Sequence, residues 1–140
     1  MNREILGEPM SEENLEIVQR GYEAFNSKDA DAYIALSHPD ISFSPMTAGV
    51  QGSLRGHAAI RTWLAEMAET FAESKVVANE FEVVEDVVIV HATFHGRGHS
   101  SDAAVAQPLV HVVRIRDGLV TWFGAYRDRA EALQAAGLSQ

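Results

Sequence analysis

Apolar residues recur at helical spacing through the first half of the chain and at strand spacing through the second. Leu15, Val18, Tyr22 and Phe25 predict an amphipathic helix that runs from a cap at Ser11 to about Asn26. Glu12 and Glu13 stand in its first turn, where the helix dipole favours acids. Asp29 is placed to cap a second, short helix bearing Tyr33, Ile34 and Leu36. His38-Pro39-Asp40 ends it, because the residue before a proline avoids the helical region. A short strand, Ile41 to Ser44, and a glycine-containing loop from Pro45 to Gly56 lead into a third helix, His57 to about Phe71. Ile60, Trp63, Leu64 and Met67 share one stripe of it.

From Lys75 the period changes. Strands are predicted near Lys75 to Val84, Val87 to Gly96, Val105 to Arg116 and Leu119 to Arg127, with hairpin turns at Glu85-Asp86 and Asp117-Gly118. Asp128 caps a final short helix, Ala130 to Ala136, which Gly137 closes. Helices followed by a bent sheet make an α+β domain. Residues 1–10 read as a flexible arm and residues 11–140 as one domain. On the Leu109–Asp128 stretch, alternation puts His111 on the same face as Leu109, Val113 and Ile115. That face is otherwise apolar, so His111 is either a satisfied core residue or the polar group of a pocket. The opposite face carries Val110, Val112, Arg114, Arg116, Val120, Trp122 and Tyr126.

Composition narrows the ligand classes. The 140 residues are 46% apolar and 22% charged, ordinary for a globular domain. Eleven Lys+Arg against twenty Asp+Glu give a net charge of −9, which disfavours nucleic acid and anionic membrane surfaces and leaves a small apolar molecule as the expected partner. Without cysteine, thiolate zinc, iron–sulfur and disulfide chemistry are excluded. Neither a signal peptide nor a membrane-spanning run is legible, so a cytoplasmic location is expected.

Most other polar residues have local explanations. His91, His95 and His99 would cluster on a helix, but four residues of strand span about 13 Å, too far for one metal, so no metal or cofactor is expected. If Val88, Val90, Ala92 and Phe94 face inward, these histidines face outward. Arg97, between glycines, reads as a solvated hairpin residue, and His38 and His57 read as local caps. Asp102 falls in a Ser/Asp/Ala loop.

Three groups of residues together carry a family likeness: Val18-Gln19-Arg20 through Asn26 and Asp29, Arg55-Gly56-His57-Ala58-Ala59-Ile60, and Asp117-Gly118 through Tyr126-Arg127-Asp128. From about residue 11 to Gly137 the chain resembles the nuclear-transport-factor-2-like superfamily, and within it the SnoaL-like polyketide cyclase and ketosteroid isomerase branch. The resemblance implies a cone-shaped α+β barrel, with three N-terminal helices packed in a strongly bent mixed or antiparallel sheet around an internal apolar pocket. It implies no single activity. Where ketosteroid isomerases place a carboxylate base, this chain has Ser44-Pro45, and their oxyanion-binding tyrosine falls on Gly21, with Tyr22 about 100° further round the helix. Their protonated aspartate aligns with His111. The inner-face carboxylates of limonene epoxide hydrolases fall on Ala125 and near Ala92 and Phe94, and no inward aspartate serves the SnoaL cyclase scheme.

Two readings follow. One is an isomerase- or cyclase-like enzyme that moves a proton on a small apolar carbonyl compound, with His111 as base or donor and Ser44 and Tyr22 as helpers. The other is a non-catalytic ligand-binding or dimerisation module. Either uses a pocket lined by Trp63, Val90, Phe94, His111, Val113, Phe123 and Ala125. The outward Val110, Val112, Val120, Trp122 and Tyr126 suggest a homodimer through the outer sheet face, rimmed by Arg114 and Arg116.

Overall fold

The computed structural model describes residues 8–45, 53–99 and 103–138. Helix α1 (Glu8–Asn26) starts ahead of Ser11, so Ser11 lies within the helix and not at its cap. Pro9 explains the earlier start, because in a first turn its fixed φ suits the helix and its missing N–H has no partner to lose. The predicted arm is therefore helical at positions 8–10, and residues 1–7 lie outside the described part. Helix α2 (Ala30–Ala35) is capped as expected, with the Asp29 carboxylate accepting from the Ala32 N–H.

Strand β1 (Ser37–Ser44) is longer than its apolar core predicted and pairs antiparallel with the short β2 (Leu54–Arg55), which falls in the expected loop. Positions 46–52 and Asp102 lie outside the described residues. After helix α3 (His57–Thr70) come β3 (Phe71–Val84), β4 (Val87–Gly98), β5 (Ala104–Arg116) and β6 (Leu119–Tyr126), then helix α4 (Arg129–Ala135). The last four strands form consecutive hairpins, and β1 joins β6 in parallel, giving the mixed order β2-β1-β6-β5-β4-β3. Asp117 and Gly118, both at positive φ (54° and 80°), make the β5–β6 turn that their sequence predicted.

Bulges set the sheet's faces. Register shifts at Ala72 and Asn79 in β3 are bulges, which bend the strand and raise its twist. A third lies at Thr121 in β6, between the pairs Arg114–Trp122 and Ile115–Val120. This extra residue reverses the expected alternation, and Val120 turns inward with Phe123 to the helix side, where both pack on the core. Its assignment to the outer face is thereby corrected.

The inner core gathers Val18 and Phe25 of α1, Met67 of α3, and Val76, Val88, Val90, Val113 and Ile115 of the sheet. The Asn26 side chain pins the end of α1 to the edge strand, its amide donating to Val76 O (2.9 Å) and its oxygen accepting from Val76 N–H (2.8 Å). An unpaired strand edge is thus partly occupied by the chain itself.

The outer face is covered too. Ala132, Leu133 and Ala136 of the C-terminal segment pack on Val87, Ile89, Val110 and Val112, and Trp122 and Tyr126 border this second core. Val112 is wholly buried within one chain, so Val110 and Val112 are not open to a second copy. Arg114 and Arg116, expected to rim that contact, both bind Asp86, and Arg114 also donates to Ala136 O at 3.1 Å, holding the end of the C-terminal helix. Asp128 caps that helix through the Glu131 N–H. No described helix is long and apolar enough to cross a membrane.

Candidate functional site

Between α1, α2, α3 and the inner face of the sheet lies a cavity of about 180 Å³, more than ten times the roughly 10–15 Å³ that one water needs. Aromatic rings make much of its wall. Phe43 stacks on Phe123 (5.0 Å between ring centroids) and meets Trp63 edge-on, and Phe71 meets Phe94 in the same way. Edge-to-face and offset pairs of this kind are favourable and rigid.

His111 projects into this wall from β5, between Val90 on β4 and Ala125 on β6. It is only 5% exposed. Its Nδ1 lies 2.7 Å from the Tyr22 hydroxyl, and its ring packs against Phe123. Tyr22 reaches it because α1 crosses the sheet with the stripe Val18, Tyr22 and Phe25, about two turns long, facing inward. Burial lowers the His111 pKa from 6.5 to about 4, so the ring is neutral near pH 7. Burial also raises the Tyr22 pKa well above its ordinary range, and the nearby Tyr33 hydroxyl adds to that shift. Tyr33 is held un-ionised by burial as well. The site is therefore polar and uncharged.

Two tautomers are open to the pair. With the proton on Nε2, the Tyr22 hydroxyl donates to Nδ1. With the proton on Nδ1, the imidazole donates to the Tyr22 oxygen, which frees the phenolic proton for a ligand and leaves Nε2 as an acceptor. No carboxylate lines the cavity among the described residues, so nothing charged fixes one tautomer.

Of the residues expected at the pocket, Trp63, Phe94, His111, Val113, Phe123 and Ala125 line it, and so does Tyr22. Val90 does not. It faces inward beside His111 but is fully buried, in the core that supports the wall. Ser44 is corrected as well. Alternation along β1 turns Ile41, Phe43 and Pro45 to the cavity, and the Ser44 hydroxyl pairs instead with Ser53 at 2.7 Å on the exposed side. Tyr33, Ser37 and Gln107 are lining residues that sequence reasoning missed. Gln107 was legible, since it shares the parity of His111 on β5. Tyr33 read as part of an apolar helix side, and Ser37 lay ahead of the predicted strand.

Three of the five remaining histidines hydrogen-bond to the backbone. His57 Nε2–H donates to Ser37 O (2.9 Å), His38 Nδ1 accepts from Asp40 N–H (2.9 Å), and His99 Nε2–H donates to Ala68 O (3.0 Å). Arg97 pairs with Glu73 across the β3–β4 hairpin.

Comparison with known proteins places this architecture. A SnoaL-like domain profile matches residues 18–123, most of the chain. The chain belongs to the SnoaL-like family. Among solved structures, the SnoaL-like domain is similar to TerC co-crystallised with polyporic acid (24% identity, TM-score 0.74, covering 83% of this chain and 92% of that one). An NTF2-like protein of unknown function from Burkholderia pseudomallei matches at 22% identity and TM-score 0.75, covering 87% of this chain and 95% of that one. A proposed polyketide cyclase from Xanthomonas campestris pv. campestris matches at 23% identity and TM-score 0.74, covering 89% and 94%. At these identities the likeness concerns the fold, which is the cone-shaped NTF2-like one. No curated protein matches in sequence.

Proposed function

We propose that the SnoaL-like cavity binds a small, largely apolar carbonyl compound and moves a proton on it, as an isomerase or cyclase does. One observation carries this reading: the Tyr22–His111 hydrogen bond, set in an apolar cavity whose described lining holds no carboxylate. An uncharged donor–acceptor pair matches a carbonyl group and rejects an anion, which would enter unpaired. With Nδ1–H turned to Tyr22, the phenolic O–H donates to the ligand carbonyl oxygen. Nε2 then takes the proton from the adjacent carbon, the C–H electron pair passes to the oxygen as an enolate, and Nε2–H, after exchanging with water, returns a proton to that carbon or to another position. A base with a pKa of about 4 is weak, so turnover is slow. TerC, whose crystals hold polyporic acid, and the Xanthomonas protein, a proposed polyketide cyclase, support a small-molecule role for the fold.

Hydrogen–deuterium exchange tests the proposal without knowledge of the native substrate. In deuterated buffer the protein is expected to accelerate exchange next to the carbonyl of α-tetralone, followed by proton NMR, and His111→Ala and Tyr22→Phe are expected to abolish the acceleration. Saturable binding with no exchange in the wild type would instead establish the non-catalytic pocket module of the same fold.

A further inference from the structure

The first residue of β1, Ser37, is 6% exposed, lines the cavity, and shares the buried side of the strand with Ile41 and Phe43. Its carbonyl oxygen accepts from His57 Nε2–H, but its hydroxyl has no hydrogen-bond partner among the described residues. Buried hydroxyls are nearly always paired, because sealing one from water without a partner is costly. The cavity is the place from which that partner can come. Tyr33, on the helix just before β1, also lines the cavity, its hydroxyl has no hydrogen-bond partner among the described residues, and it lies near enough to Tyr22 to shift its ionisation.

We infer that Ser37, seconded by Tyr33, is a second polar contact point of the cavity, and that the ligand carries two hydrogen-bonding oxygen functions on an apolar frame. This rests on the carbonyl-binding reading of Tyr22–His111. A hydroxyketone or a diketone fits: its carbonyl meets Tyr22–His111, and its second oxygen meets the Ser37 hydroxyl, which both donates and accepts. A monoketone leaves Ser37 unpaired, so discrimination against it comes from the protein's own unsatisfied group.

The inference makes one claim about the free protein and one about binding. Because the hydroxyl has no partner among the described residues, Ser37→Ala is expected to melt at or above the wild-type temperature; a clear fall in Tm would mean that the hydroxyl serves the fold, and would overturn the assignment. By calorimetry, the wild type is expected to bind at least one isomer of a hydroxytetralone series about tenfold more tightly than α-tetralone. Ser37→Ala is expected to erase that preference, with α-tetralone bound at least as tightly as by the wild type because no hydroxyl is left unpaired against it. Absence of any preference, or a preference that survives in Ser37→Ala, removes the second contact point while the carbonyl site stands. Failure of all the tetralones to bind overturns both readings.

Discussion

A buried neutral histidine makes stability depend on acid. In the unfolded chain His111 takes up a proton at about pH 6.5, whereas in the fold it does so only at about pH 4. Between these values the unfolded state binds more protons, so stability falls as the pH falls through that window and is unaffected above it. At about 1.4 kcal/mol per pH unit the loss reaches roughly 3 kcal/mol at pH 4. Thermal melts from pH 7 down to pH 4 are expected to show this decline. In His111→Ala the melting temperature starts lower, with the Tyr22 hydroxyl left unpaired, but the acid slope is shallower by that contribution. An unchanged slope would mean that another group governs acid sensitivity. The proposed proton-transfer activity is expected to persist through that window in the folded protein and to be lost only as pH 4 is approached, where the base becomes charged.

At the scale of elements, the C-terminal helix is the piece whose role alternation could not reveal. Leu133 is 2% exposed between the helix and the outer face of the sheet. Leu133→Ala is therefore expected to cost about 2–5 kcal/mol, read from denaturant titration, and to expose Val110 and Val112 to apolar dyes. A loss below about 1 kcal/mol would mean that the helix rests only loosely on the sheet. The order of helices, strands and tight turns was legible because it is written in local periods: the stripe from Leu15 to Phe25, the alternation around His111, the Asp117-Gly118 turn. The inward placement of His111 followed from the same parity. What escaped were features set by register or by distant packing. The Thr121 bulge, which moves Val120 to the other face, has no glycine to announce it. Ser44 was named as a helper because it aligns near the family's catalytic base, although the alternation of Ile41 and Phe43 with Ser42 and Ser44 already turns it away from the cavity. Tyr22 was in reach of His111 only once the crossing of helix and sheet was known.

For the whole molecule, the question the sequence raised is whether two copies meet across the outer face. Part of the apolar area that argued for it is occupied by the chain's own last helix, and the two arginines proposed as a rim are engaged with Asp86. We retain the homodimer as a proposal confined to the outward parts of Trp122 and Tyr126, which are only partly buried. Sedimentation at micromolar concentration decides it: a dimer that Trp122→Glu converts to a monomer supports this face, and a monomer in both removes it.

The parallel seam between β1 and β6 has a consequence for the order in which the chain takes shape. The four strands from Phe71 to Tyr126 join through connections of two to five residues, so each can zip onto its predecessor with little loop entropy at stake. The pairing of Phe43 with Phe123 unites the first strand to be synthesised with the last. On the ribosome β1 must wait for its parallel partner until β6 has emerged. The cavity is thus a late product of folding, and a chain stopped short of Leu119 has the first three helices and much of the sheet but lacks Val120, Phe123 and Ala125 from the wall on which a ligand would rest.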